Sequence, residues 1–325
     1  MYTILNHFKF ICAVPAAIVI AMHSAYAQSD TVSTAPCVAE FTSADAIVIA
    51  GDRGGYDGFD PSENIEALSI AVRLVSGNAC RFAVVISSDG GPNLRTLRGP
   101  QGASLGYQLL KSPESRDILI NSVEPQRDAV LPIELSTDNP TEVISYFANL
   151  PAGQIVKPGS YSGRLTLTLF EVIGVEYEIV TRTETAIRTT VPSKVDVSIS
   201  LSDRDFDVAS TGAKLELGDL SQGARAQAFV QVRSNNDFLV SVQSDRQGAL
   251  QYNSSNDVFK IPYNFTLSGE SIPLNNGVIE RAIEGVGPTP STGNSYRIVV
   301  DVPTPTTQRA GVYNDTIRFR VRPAL

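Results

Sequence analysis

Residues 310–325 read AGVYNDTIRFRVRPAL. Gly311-Val312-Tyr313 leads into a polar turn at Asn314-Asp315. Then Ile317, Phe319 and Val321 alternate with Arg318, Arg320 and Arg322. Period-two alternation puts one row of side chains in a core and the other in solvent, which defines a half-buried strand. The same construction stands earlier, with Gly159 placed 152 residues before Gly311. There Pro158-Gly159-Ser160-Tyr161-Ser162-Gly163 precedes Leu165, Leu167 and Leu169, which alternate with Arg164, Thr166 and Thr168. A Gly-x-Tyr strand that recurs at that distance in a chain of 325 residues indicates two related units.

A second echo agrees. Val72-Arg73, a turn, Phe82 and an apolar run ending Ser88-Asp89 match Val232-Arg233, a turn, Phe238 and a run ending Ser244-Asp245. Val195, Val197, Ile199 and Leu201 alternate with Asp196, Ser198, Ser200 and Ser202. Turn clusters such as Ser76-Gly77-Asn78 and Ser234-Asn235-Asn236-Asp237 separate the runs, and no segment has sustained helical periodicity with caps. The reading is all-β, with two immunoglobulin-like β-sandwich domains in tandem at 28–190 and 194–325. Thr190-Val191-Pro192-Ser193 forms the linker, because proline interrupts strand pairing. In the first unit the Gly-x-Tyr strand is followed by the hairpin Val172-Ile173-Gly174-Val175 and a returning strand, 176–189. In the second, only Pro323-Ala324-Leu325 follow, so that domain is expected to lack its last strand. An unfilled strand position exposes apolar side chains and backbone groups that a strand from another chain can satisfy.

Residues 1–27 carry one basic residue, Lys9, an apolar run from Ile11 to Met22, and Ala25-Tyr26-Ala27. This is expected to be a secretory signal peptide, since the run is short of the ~20 residues that span a bilayer. Cleavage after Ala27 leaves 298 of the 325 residues, without His, Met or Trp and with two cysteines, Cys37 and Cys80. An even pair in an exported chain reads as a disulfide. The net charge of −8 argues against a nucleic-acid partner, which calls for a basic face.

The motifs for chemistry are incomplete. Gly102-Ala103-Ser104-Leu105-Gly106 matches the nucleophile elbow, but the mature chain offers no histidine base. Gly51–Gly58 is glycine-rich without the Gly-Lys-Ser/Thr of a phosphate loop. Asp203, Asp205 and Asp207 begin like a calcium loop, yet Val208 and Lys214 stand where Gly and Glu belong. No catalytic residue, cofactor or metal is expected.

The stretch Pro151–Ser162 (PAGQIVKPGSYS), the run Ala310–Asp315 and the strand Leu105-Gly106-Tyr107-Gln108-Leu109 resemble spore coat protein U domains. Cys37 and Cys80 match the family's early cysteine and its second cysteine after the second strand, whereas the second half has no cysteines. These domains are the pilins of archaic chaperone–usher pili. The two-domain form resembles the tip adhesin of such a pilus. That resemblance implies a complete N-terminal adhesin domain and a C-terminal pilin domain that accepts a donor strand from the adjacent subunit. It also implies a periplasmic chaperone, an outer-membrane usher and export to the cell surface. The tail Gln28–Pro36 (QSDTVSTAP) has one sizeable apolar residue, Val32, and makes a poor donor, which favours the tip. A pilus-shaft or coat subunit is the alternative, followed by a secreted sugar-binding module or hydrolase.

Two sets of site residues follow. Val195, Val197, Ile199, Ile317, Phe319 and Val321 are expected to line the donor-strand groove. Val172, Ile173 and Val175, together with Ile118, Leu119 and Ile120, are expected at the pole far from the linker, in contact with a surface or host receptor. The second run also fits an ordinary core strand.

Overall fold

The computed structural model describes residues 36–324 except 44–45, 52–53, 253–258 and 307–308. The expected signal peptide and the tail up to residue 35 lie outside the described residues. No α-helix occurs among those described.

The first ten strands are β1 (Val38–Phe41), β2 (Ile47–Ile49), β3 (Asn64–Ser76), β4 (Ala79–Ser88), β5 (Arg95–Arg98), β6 (Ser104–Leu110), β7 (Val130–Ser136), β8 (Thr141–Leu150), β9 (Gly159–Ile173) and β10 (Glu176–Val191). One layer has the order β1-β3-β8-β6. The other runs β7-β4-β9-β10-β2, and β5 bridges the layers by pairing with both β6 and β9. Between them lies a core that includes Phe82, Val84, Ile86, Tyr107, Tyr146, Leu165, Leu167 and Leu169. Cys37 and Cys80 form a disulfide, 43 residues apart in sequence, that ties the start of β1's layer to β4 in the other.

The remaining strands are β11 (Val195–Ser200), β12 (Ala224–Ser234), β13 (Phe238–Ser244), β14 (Ala249–Tyr252), β15 (Lys260–Pro262), β16 (Asn264–Leu267), β17 (Glu270–Ser271), β18 (Ile279–Gly285), β19 (Asn294–Val302), β20 (Tyr313–Asn314) and β21 (Ile317–Pro323). They form the sheet β11-β12-β19-β16-β17 and the sheets β18-β13-β21 and β15-β14-β20. Their core is separate and includes Val230, Val232, Phe238, Val240, Phe265, Ile298 and Val300.

The repeated Gly-x-Tyr motif has one local cause in both halves. The Tyr161 hydroxyl donates to the Lys157 carbonyl at 2.6 Å, and the Tyr313 hydroxyl to the Arg309 carbonyl at 2.8 Å. Each tyrosine thus pins the chain four residues upstream as it enters its strand, the tyrosine-corner device of sandwich folds.

Within the glycine-rich run at 51–58, Gly55, Tyr56 and Asp57 are part of the joint between the two sandwiches. Tyr56 donates its backbone N–H to the Thr190 carbonyl, and its hydroxyl to Pro151. Gly55 is required by close approach: a Cβ there would sit 2.3 Å from the Thr190 oxygen. Asp57 pairs with Lys194, and the Arg233 guanidinium lies between the rings of Phe59 and Phe206, 4.7 and 4.4 Å from their centroids. Arg233 also pairs with Asp196 at 3.3 Å. Two cation–π contacts and an ion pair whose basic partner is mostly shielded are together worth about 2–3 kcal/mol. Arg233→Ala is therefore expected to loosen the joint and lower the melting of the second sandwich. Small-angle scattering and calorimetry read both effects; an unchanged scattering profile and melting point would contradict this role.

Candidate functional site

The two Gly-x-Tyr strands sit in different surroundings. β9 has ladders on both sides, to β4 and along the whole of β10. β21 pairs with β13 alone. β11, the first strand of its sheet, likewise pairs only with β12. The consequence shows in the side chains. On β9, Leu165, Leu167 and Leu169 are fully buried. On β21, the inward residues Ile317, Phe319 and Val321 are half-buried, as are Val195, Val197 and Ile199 on β11.

An open groove of about 1490 Å³ runs along this side of the second sandwich. Val197, Ile199, Ile317 and Phe319 line it. Its floor is the core itself, through Leu250, Ile261, Phe265, Ile298 and Val300. Val195 and Val321 pack on the same core but do not line the groove. Pairing explains this. Val195 stands opposite Ser234 and Pro323 opposite Phe238, and only a short turn separates Ser234 from Phe238. The two edges therefore converge near the linker and part toward Ile199 and Ile317.

The far wall was not read from the sequence. The connection 201–223 between β11 and β12 returns along the groove at Thr211–Ser221. Leu215, Leu217 and Leu220 turn onto the core, while Lys214, Glu216 and Asp219 face out. No backbone hydrogen bond joins residues 212–219 to another described residue. The wall has a strand's pattern and an unpaired main chain. Its signal is Ala213-Lys214-Leu215-Glu216-Leu217, an alternation of five residues between Ser210-Thr211-Gly212 and Gly218-Asp219. Asp315 fixes the end of the groove, accepting from Tyr263 and Ser244 at 2.6 Å each. Burial, and then Asp315, push the Tyr263 hydroxyl above its ordinary pKa, so it stays a neutral donor.

In the first sandwich, Val172, Ile173 and Val175 belong to the hairpin between β9 and β10. Val172 is half-buried, Ile173 is 48% exposed and Val175 93% exposed. The Ser76–Ala79 turn lies at the same end, since Phe82 of β4 pairs with Glu171. Ile118, Leu119 and Ile120 lie elsewhere. Asn121 bonds the backbone of Ser88, and Ser88 pairs with Leu165. From Leu165 to Ile173 is eight residues, about 26 Å along a strand. The expectation of a solvent-facing apolar run does not hold at Leu119, which is 0% exposed in the first core. Its carbonyl accepts from Arg95 at 2.8 Å, so this stretch closes over a buried guanidinium whose pKa desolvation pulls down to about 10. Ile118 and Ile120 are half-buried beside Lys111, Asp117 and Asp128.

The sequence's chemical motifs take structural places. Ser104 begins β6 instead of sitting at a strand-to-helix turn. Asp207 accepts from the Ala209 backbone N–H and pairs with Arg204, and Asp203 accepts from Ser295. Among the described residues no group of three or more His, Cys, Asp or Glu is placed to hold a metal.

No protein-family model matches the chain, and no curated protein matches it. Solved structures do. The chain is similar to the structure of the chaperone–tip adhesion subunit pre-assembly complex, CsuC–CsuE, from archaic chaperone–usher Csu pili of Acinetobacter baumannii. That match has 14% identity and a TM-score of 0.43, over 87% of this chain and 99% of that chain. It is similar to the CupB6 tip adhesin of Pseudomonas aeruginosa, at 12% identity and a TM-score of 0.37 over 89% and 94% of the two chains. The adhesin CfaE of the CFA/I system of enterotoxigenic Escherichia coli matches at 12% identity and a TM-score of 0.37, over 86% and 92%.

Proposed function

We propose that the chain is the tip adhesin subunit of an archaic chaperone–usher pilus, without catalytic activity. The carrying observation is the contrast between β9 and β21. The same motif strand is paired on both sides in one sandwich and on one side in the other, and its inward side chains stay half-buried only in the second. Residues 28–190 form the adhesin domain in this reading, and residues 194–325 the pilin-like domain.

The groove takes a strand donated by an adjacent subunit. Such a strand would place alternate apolar side chains over Val197, Ile199, Ile317 and Phe319 and offer its backbone to the unpaired edges. Each large side chain buried contributes roughly 1.5–3 kcal/mol, and each ladder hydrogen bond roughly 0.5–1.5 kcal/mol. During export the open groove is an association hazard, which a periplasmic chaperone covers until an outer-membrane usher exchanges it for the donor.

The exposed hairpin Val172–Val175 is the adhesive element. Isolated apolar residues at a strand tip lose nothing by meeting water-excluding material and gain about 25 cal/mol per Å² buried. Val172, Ile173 and Val175 all replaced by Ser should reduce attachment to a methyl-terminated surface at least tenfold while strand capture stays intact. Attachment unchanged in the folded triple variant would remove the hairpin from this role. Failure to capture any strand would remove the pilus reading itself.

A further inference from the structure

A strand seated beside β21 meets two kinds of side chain, because its own residues point alternately inward and outward. Its inward residues cover Ile317 and Phe319, which line the groove. Its outward residues stand next to Arg318 and Arg320, exposed on either side of Phe319. Arg322 continues the same outer row beside Val321, where the two edges converge. β13 offers this row no carboxylate: Gln243, Ser241 and Leu239 stand opposite Arg318, Arg320 and Arg322. Arg318 is held by both carboxylate oxygens of Asp245, at 2.9 and 2.8 Å, and Arg322 reaches Glu280 at 3.9 Å. Arg320 has no ion-pair partner among the described residues. Its neighbours in the row are guanidinium groups two residues away, about 7 Å along a strand, so the row repels itself at its centre. Across the groove, Lys214 and Glu216 of the wall pair with each other at 2.7 Å and answer none of this charge.

We infer that the donor segment carries acidic side chains at its outward positions, above all at the one opposite Arg320. The inference rests on the strand-acceptor reading of the groove and adds the charge of its partner. Residues directly opposite on paired strands share a face, where opposite charges attract and like charges repel. A carboxylate there gives Arg320 the partner that β13 does not supply, whereas a lysine adds a fourth positive charge to the row. Apolar inward and acidic outward residues alternate along one strand, so a single segment satisfies the groove and the arginine row together. The long-range field works the other way: the net charge of −8 draws a basic peptide. A preference for an acidic donor therefore comes from the arginine row and not from the chain as a whole.

The test uses the purified full-length mature chain and three peptides of about ten residues, in which Val alternates with Glu, with Ser or with Lys. At 50 mM salt the Glu peptide should bind about tenfold tighter than the Lys peptide, with the Ser peptide between them. Arg320→Gln should shrink that ratio about threefold, and Arg320→Glu should abolish or reverse it, with capture of the Ser peptide unchanged in both. At 1 M salt the three affinities should converge, because the Debye length falls to about 3 Å. Equal affinity for the Glu and Lys peptides in the parent, or a Glu preference that survives Arg320→Glu, would overturn the inference. In either case, capture of the Ser peptide by the parent and its loss in Phe319→Ala would keep the acceptor groove and reject only its charge selectivity. Failure to bind any of the three peptides would overturn the acceptor reading and this inference with it.

Discussion

Phe319→Ala is expected to weaken capture of a donor strand at least a hundredfold while leaving the free chain folded. The asymmetry follows from where the ring stands. In the free chain Phe319 is half-buried, tilted against Phe265 at 6.4 Å between centroids, and lines the groove. Truncating a fully buried phenylalanine costs about 3–5 kcal/mol, part of it for the cavity left behind. Here one side of the ring already faces the groove, so the free chain loses roughly half of that, about 2 kcal/mol. In the complex the inserted strand covers the ring, and the truncation also leaves a hole against the donor's side chain. The added loss of roughly 3 kcal/mol corresponds to the hundredfold change in affinity. The matched control is Phe170→Ala, in the first sandwich and far from the groove, which should lower stability without changing strand affinity. Equal losses of affinity in the two variants would show that Phe319 acts through general stability and does not meet the donor.

The second large effect is at the opposite pole. Cys37→Ser with Cys80→Ser is expected to cost about 4 kcal/mol, because the bond closes a loop of 43 residues whose freedom it removes from the unfolded chain. Gly77 sits against this bond: a Cβ there would fall 2.5 Å from the Cys80 sulfur. The pair also holds β1 against the end of β4, beside the hairpin, so the loss should fall on the first sandwich and on adhesion together. Calorimetry should show the first sandwich melting well below its parent value, with strand-induced stabilisation of the second unaffected. A double Ser variant that melts within about 1 kcal/mol of the parent would contradict the chain-entropy account.

Much of this was legible in particular residues. The alternations at 165–169 and 317–321 exposed both Gly-x-Tyr strands, because a half-buried strand writes its two faces into the sequence as period two. The two cysteines announced their bond because nothing else in the exported chain could pair with them. Leu119 was not legible: a short apolar run reads the same whether it caps a buried arginine or faces solvent, and Arg95 is 24 residues away in sequence. The wall at 211–221 is less legible: its alternation, 213–217, is five residues long between Gly212 and Gly218, and a strand-like segment without a ladder partner reads in sequence like an ordinary loop. The joint at Phe59, Arg233 and Phe206 was out of reach for another reason. A cation stacked between rings from distant segments leaves no mark in local spacing. The glycines at 51–58 read as a loop between strands, but not as a close contact, and Gly55 is needed for its approach to Thr190.

The most direct test of the open second sandwich is thermal unfolding of the mature chain with and without a donor peptide. The peptide would be an extended segment of about ten residues with alternating large apolar side chains, taken from the N-terminal tail of a candidate partner subunit. A groove that binds it at a hundred times its Kd gains about 2.7 kcal/mol. The account predicts a rise of several degrees in the melting of the second sandwich, lost in Phe319→Ala, with the first sandwich unmoved. A chain that is monomeric, stable and indifferent to such peptides would mean that the groove accepts no strand, and the pilus reading would fall.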